Sequence, residues 1–128
     1  MYDASPPDSI HTLSIDSLRS PDITMWTAWA GTEILGCGAL KELDARAGEI
    51  KSMRTATAHR GRGVGGQILQ HLIKMAKQRG YQQLFLETGS APAFEAAHAL
   101  YQKAGFQYCG SFANYKEDVF SRFMVLAL

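Results

Sequence analysis

Apolar and polar residues alternate over residues 24–30, around Trp26 and Trp29, and again over 33–43 after Gly31-Thr32. A period of two marks strands with one buried face, so this pair predicts an antiparallel hairpin. Asp44 to Gly48 reads as a second turn and residues 49–57 as a third strand. The period then changes. Ile68, Leu69, Leu72, Ile73 and Ala76 share one helical face, with Gln70, Lys74, Lys77 and Gln78 largely opposite, which predicts an amphipathic helix at 64–79. Arg79-Gly80 stops it, a cation in the last turn followed by a residue suited to the C′ position. Leu84, Phe85 and Leu86 centre a fourth strand at 81–88. Strand, helix and strand in that order predict a right-handed parallel crossover. A second helix is expected at 92–104, with Pro92 in its first turn and Gly105 ending it. Strands at 106–112 and 120–128, joined by a polar loop around 114–118, close the chain. Upstream, residues 1–9 read as flexible, 10–18 as a weak strand or irregular lead-in, and Ser20-Pro21-Asp22 as a turn. The expected fold is α/β: a mixed central sheet, an antiparallel N-terminal meander and a β-α-β crossover.

The third strand and first helix enclose His59-Arg60-Gly61-Arg62-Gly63-Val64-Gly65-Gly66, with four glycines in the six positions 61–66. Glycine tolerates positive φ and has no Cβ, so successive amides can converge on an anion. The helix that follows adds its first-turn N–H groups and the positive end of its dipole. Strand, glycine turn and helix start together predict a pyrophosphate cradle. A nucleoside-triphosphate P-loop would need Lys and Ser or Thr after its last glycine, where Gln67-Ile68 stand. Gly61-Arg62-Gly63-Val64-Gly65-Gly66 does fit the dinucleotide pattern, and Glu87 lies at a suitable distance for its acidic residue. A glycine-rich turn without a ligand is the bland alternative, although a hairpin has no need of four glycines and a helix start.

Composition narrows the class. A chain of 128 residues, 46% hydrophobic and 20% charged, is expected to form a single soluble domain over 1–128. A formal net charge of +1 gives no field for nucleic acid or an anionic membrane. Cys37 and Cys109 lie far apart in apolar runs and read as buried thiols in a reducing compartment, with no disulfide. With no apolar run near the length of a span and no leader-like segment, a cytoplasmic protein is expected. The four His and two Cys show no metal-ligand spacing, so no metal is expected.

Two motifs carry a resemblance. Arg60-x-x-Gly63-x-Gly65 resembles the acetyl-CoA loop of the GNAT superfamily of N-acetyltransferases. Ala97-x-x-Leu100-Tyr101-x-Lys103-x-Gly105-Phe106 is similar to its second signature. Ile50-Lys51-Ser52-Met53-Arg54 and Glu87-Thr88-Gly89 resemble a bacterial subgroup of small-amine acetyltransferases. The likeness runs over nearly the whole chain from Ser5. It implies the GNAT fold and acetyl-CoA as cosubstrate, with a small-molecule primary amine as acceptor. It also implies direct attack in a ternary complex, so neither cysteine has to be catalytic. The chain departs from the family pattern twice. The usual N-terminal strand–helix unit, which helps wall the acceptor pocket, is expected to be shortened or missing. Phe94 stands where many members carry Asn.

The resemblance also implies roles. Met53, Arg54 and Thr55 would hold the pantetheine and the acetyl carbonyl, a backbone N–H supplying oxyanion-type stabilisation. Arg60, Gly61, Arg62, Gly63, Val64, Gly65 and Gly66 would hold the pyrophosphate, the arginines adding charge-assisted bonds. Tyr101 matches the phenol that donates to the departing thiolate; packing beside Leu100 and Phe106 is its bland reading. Glu49 stands where some members keep a general base; a sheet-edge carboxylate paired with Lys51 or Arg54 is the alternative. Glu87, Phe94 and His98 are candidates to line the acceptor site, with pairing to Arg54 and an ordinary helix histidine as the alternatives for Glu87 and His98. His59 reads as a solvated turn residue. His11 and His71 carry no signal. Tyr115 and Ser121 fall near the last hairpin, which often borders the acceptor pocket. A non-catalytic acyl-CoA-binding or sensing module is the second reading. A nucleotide-binding oxidoreductase is the third, disfavoured by Gly89-Ser90 and the Tyr-bearing helix beyond the parallel strand. An unpaired N-terminal sheet edge would invite homodimerisation.

Overall fold

The computed structural model describes residues 20–113 and 115–128. The expected lead-in strand, the flexible start and the altered N-terminal unit concern residues 1–19 and lie outside the described residues. β1 (Ile23–Ala30), β2 (Glu33–Asp44) and β3 (Ala47–Thr55) form the meander. α1 (Val64–Gln78) crosses to β4 (Gln83–Gly89); α2 (Glu95–Lys103), β5 (Gln107–Cys109) and β6 (Ser121–Ala127) follow. The strands order as β1-β2-β3-β4-β6-β5. Among the described residues only β3 and β4 pair in parallel, so the sheet is mixed and the crossover stands as the hydrophobic periods predict.

Several boundaries shift, two of them for a visible local reason. The second turn uses only Ala45 and Arg46, because the Asp44 carboxylate accepts from the Arg46 N–H at 2.7 Å and Ala47 is already paired with Asp44. β3 therefore begins two residues before its expected start at Glu49, and it ends at Thr55, where a 3-10 turn takes Thr57–His59. A second 3-10 turn, Pro92–Phe94, precedes α2. β5 keeps three residues of the seven expected at 106–112, because Phe112 leaves the strand and packs on Phe85, with ring centroids 4.8 Å apart. The cysteines are half-buried rather than buried, and desolvation raises both thiols above their ordinary range.

α1 buries Val64, Ile68, Leu69, Leu72, Ile73 and Ala76, the stripe that its period predicts. These pack with Leu40, Ile50, Leu84, Leu86 and Met124 from the sheet, and with Tyr101 and Phe106 from the α2 side. Each fully buried Leu in such a cluster contributes roughly 1.5–3 kcal/mol. Both helices therefore lie on one face of the sheet. The opposite face carries Glu49, Lys51, Phe85, Glu87 and Phe123, which follow from the alternation along β3, β4 and β6 and from the register of these strands. Among the described residues no helix is long and apolar enough to cross a membrane.

Candidate active site

β3 and β4 pair over four positions, from Ala47↔Gln83 to Ile50↔Leu86. β3 then continues to Thr55 and β4 to Gly89 without further register partners between them among the described residues. The reason lies in β3. Its register with β2 slips between Cys37↔Arg54 and Ala39↔Lys51, so Ser52 and Met53 together stand opposite Gly38. Ser52 adopts φ 52°, a left-handed conformation that bends the strand at a bulge. Its carbonyl accepts the Cys37 thiol at 3.3 Å. A strand bent in this way leaves its parallel neighbour. Met53, Arg54 and Thr55 thus form one lip of an open V, and Glu87, Thr88 and Gly89 the other.

The glycine loop follows the first lip directly. Gly61 and Gly63 take φ of 79° and 80°, which a β-carbon would strain. Gly63 is the N-cap of α1, and among the described residues no side chain caps this helix and no acidic residue lies in its first turn. Arg60 and Arg62 are exposed beside it, while Val64 is buried and pins the loop to the core. The first-turn amides and two exposed cations therefore stand together, with no acidic residue in that turn among the described residues, which fits a pyrophosphate. The bare glycine turn is disfavoured by this coincidence. His59 is not a solvated turn residue: its side chain is mostly buried, with Nε2 3.2 Å from Glu33 Oε2. It lies against the start of β2.

Gly65 and Gly66 lie under Leu100 of α2, where an added Cβ would sit 3.4 and 3.6 Å from its methyls. From Gly63 and Gly66 a cleft of about 590 Å³ runs between α1 and α2, lined by Gln67, Gln70, Leu100 and Lys103. Sequence reasoning missed this cleft. Its signals were Leu100 and Lys103, already quoted within the second motif, and the glycines of the loop.

Tyr101 is 7% exposed and meets Phe106 edge-on, with ring centroids 5.9 Å apart. Its carbonyl accepts the Phe106 N–H at 3.0 Å in the closing turn of α2, which Gly105 permits with φ 107°. Its hydroxyl makes no hydrogen bond among the described residues. Burial pushes this phenol up to about 12, so it carries its proton throughout the neutral range. The packing role is therefore present, and a donor remains beside it.

Glu49 is 1% exposed and accepts the Tyr115 hydroxyl at 2.6 Å. Its Oε2 also lies 3.3 Å from the Lys51 ammonium, which donates to the Tyr115 oxygen as well. The expected pairing with Lys51 exists, but the sheet-edge position does not: β3 is an interior strand, flanked by β2 and β4. Burying an ion pair carries a desolvation penalty, and the phenol offsets part of it by a charge-assisted bond. Glu87, two residues beyond the partner of Glu49, accepts the Ser121 hydroxyl at 2.6 Å. Burial first, and then the charges of Glu49 and Glu87, raise the Tyr115 phenol far above its ordinary range.

Phe94 and His98 meet at Gly89, the end of β4. A β-carbon at Gly89 would lie 2.3 Å from the Phe94 ring, so only glycine allows this stacking. His98 Nε2 lies 2.7 Å from the Gly89 carbonyl and Nδ1 lies 3.2 Å from the Tyr108 hydroxyl. A carbonyl only accepts, so Nε2 carries a proton and donates it. Both side chains brace the second lip of the V.

The geometry has counterparts among known proteins. The chain matches the Acetyltransferase (GNAT) family over residues 2–106. The uncharacterized N-acetyltransferase YsnE of Bacillus subtilis (strain 168) is 58% identical over 97% of this chain and 82% of its own. The corresponding YedL of Escherichia coli (strain K12) is 47% identical over 100% of this chain and 80% of its own. A solved structure from Klebsiella pneumoniae, assigned to the acyl-CoA N-acyltransferases, superposes with a TM-score of 0.81 at 33% identity, covering 89% of this chain and 79% of that one. A Bacillus subtilis acetyltransferase solved in complex with CoA shares the fold, with a TM-score of 0.75 at 24% identity over 89% and 82% of the two chains. The chain thus has the fold of the acyl-CoA N-acyltransferases. The chain belongs to the GNAT family, whose members are acetyl-CoA-dependent N-acetyltransferases.

Proposed function

We propose that this enzyme moves an acetyl group from acetyl-CoA to a primary amine of a small metabolite, by direct attack in a ternary complex. The observation that carries the reading is the opening between β3 and β4 beyond Ile50 and Leu86, with the cradle at one end and a buried carboxylate at its foot. Acetyl-CoA supplies the activated thioester. Arg60, Gly61, Arg62, Gly63, Val64, Gly65 and Gly66 hold its pyrophosphate, the arginines and the first-turn amides matching the charge. Met53, Arg54 and Thr55 line the lip along which the pantetheine runs. The bulge at Ser52 takes Met53 out of regular pairing, which supports a backbone N–H directed at the acetyl oxygen.

Tyr101 donates its proton to the departing thiolate, a role that suits a phenol with no other partner among the described residues. Glu49 takes a proton from the incoming ammonium, directly or through water. Glu87, Phe94 and His98 border the acceptor, Glu87 by its carboxylate and the other two by holding Gly89 in place. Because attack is direct, Cys37 and Cys109 take no part.

Calorimetric titration with acetyl-CoA, against NADH and ATP as controls, tests the cradle. Acetyl-CoA should bind alone, and a screen of primary amines should then find one that releases free thiol. Binding without thiol release from any amine would replace this reading with a non-catalytic acyl-CoA-binding module. Failure to bind acetyl-CoA would overturn both.

A further inference from the structure

Tyr115 lies on the connection between β5 and β6, 66 residues from the carboxylate it touches. Its hydroxyl donates to Glu49 Oε2 at 2.6 Å and accepts from Lys51, whose ammonium lies 3.3 Å from the same oxygen. The three groups close a ring of contacts around one carboxylate oxygen. Lys51 also lies over the Tyr115 ring, 4.9 Å from its centroid. That ring packs against Phe112 at 5.2 Å and Phe123 at 5.8 Å. Phe112 in turn rests on Phe85, the register partner of Glu49. An apolar anchor and a polar one thus fix the same loop to the same sheet face.

We infer that Tyr115 is the positioning residue of the acceptor side: it fixes the orientation of Glu49 at the foot of the opening. The inference rests on Glu49 acting as the base. A buried carboxylate beside one flexible ammonium could turn freely, whereas a second, short bond from a rigid ring leaves one orientation. A donor to the charged form also favours that form. Charged groups surround that carboxylate on three strands. Lys51 stands beside it on β3 and Lys41 is its register partner on β2. Glu87 of β4 lies two residues beyond its other register partner and accepts from Ser121 of β6. The Tyr115 phenol is held protonated by burial and by the charges of Glu49 and Glu87, so it donates and does not compete for the proton.

The test is a carboxyl carbon-13 titration of the whole chain labelled at Glu, with the Glu49 signal identified by its loss in Glu49→Gln. Tyr115→Phe keeps the ring among Phe112 and Phe123 and removes only the hydroxyl. It should raise the Glu49 midpoint by about one pH unit, since one donor to the anion is lost. Acetyl-CoA affinity by calorimetry should stay at the wild-type value, which also shows that the variant folds. With an amine found by thiol release, the acidic limb of kcat/KM should move upward in pH by the same amount. A Glu49 midpoint that stays or falls in Tyr115→Phe would overturn the inference. A raised midpoint in a protein that releases thiol with no amine would support the link between the two residues and overturn acetyl transfer instead.

Discussion

Ile50 and Leu86 are the last residues that pair across the parallel strands β3 and β4. The residues of these strands that are assigned to chemistry lie beside or beyond that pair: Glu49 at the foot, Met53 to Thr55 and Glu87 to Gly89 on the lips, with the glycine loop at the far end of one lip. A parallel ladder left incomplete would be costly without something to occupy it, because buried backbone groups need partners. A ligand with amides of its own, such as a pantetheine arm, meets that need.

The left-handed N-cap of α1 gives the first prediction. Gly63→Ala puts a β-carbon on a residue with φ 80°, at a cost of roughly 1–2 kcal/mol. Since open space surrounds that position, the cost is conformational rather than steric. The loop should relax away from its cradle shape, and acetyl-CoA affinity by calorimetry should fall about tenfold, the equivalent of 1.4 kcal/mol. Unchanged affinity would remove the loop amides from pyrophosphate binding.

Tyr101→Phe should leave acetyl-CoA affinity intact and lower kcat by on the order of a hundredfold or more, the usual size of a general-acid contribution. An unchanged rate would leave Tyr101 as a packing residue only. Its burial has a second consequence. The folded-state phenol is pushed up to about 12 from an ordinary 10, so the folded chain holds that proton more tightly than the unfolded one. The associated stability is fully present below about pH 10 and is lost as pH rises through about 12, a total of roughly 2–3 kcal/mol. Urea melts between pH 9 and pH 12 should show that loss in the wild type, and a smaller one in Tyr101→Phe.

Gly89→Ala tests the second lip. The new β-carbon would lie 2.3 Å from the Phe94 ring, so ring and 3-10 turn must move. Overpacking of this kind costs about 1–3 kcal/mol. The acceptor KM should rise while acetyl-CoA affinity changes little, because the cradle lies on the other lip. Equal losses in both would show that the two lips do not act separately.

Among the described residues β1 is an outer strand of the sheet; its Met25 and Trp29 are 39% and 56% exposed, and Ile34 of the neighbouring β2 is 43% exposed. An apolar edge of this kind favours strand pairing with a second copy. Light scattering should give a dimer at micromolar concentration, and Trp29→Lys should shift it toward monomer. A wild-type monomer would exclude pairing through this edge.

The sequence by itself determined the order of elements, the mixed α/β class, the buried face of α1 and the glycine loop that opens it. Each of these rests on interactions within a few residues: an alternation of two, a stripe at helical spacing, or glycines that end helices and line a loop. Only the tertiary structure decided what stands at the foot of the opening. Ser52 takes a left-handed φ although it is no glycine and sits in no turn, because the slip against β2 imposes it. Glu49 reads locally as an edge carboxylate, yet two neighbouring strands bury it. The three residues left in β5 depend on Phe112 finding Phe85, and the Tyr115 bond to Glu49 on a loop that folds back across the sheet. Such contacts form only after the chain has closed, when burial makes each polar group take the partner within reach. No period or motif encodes that choice, because its two ends are set by packing rather than by neighbours in sequence.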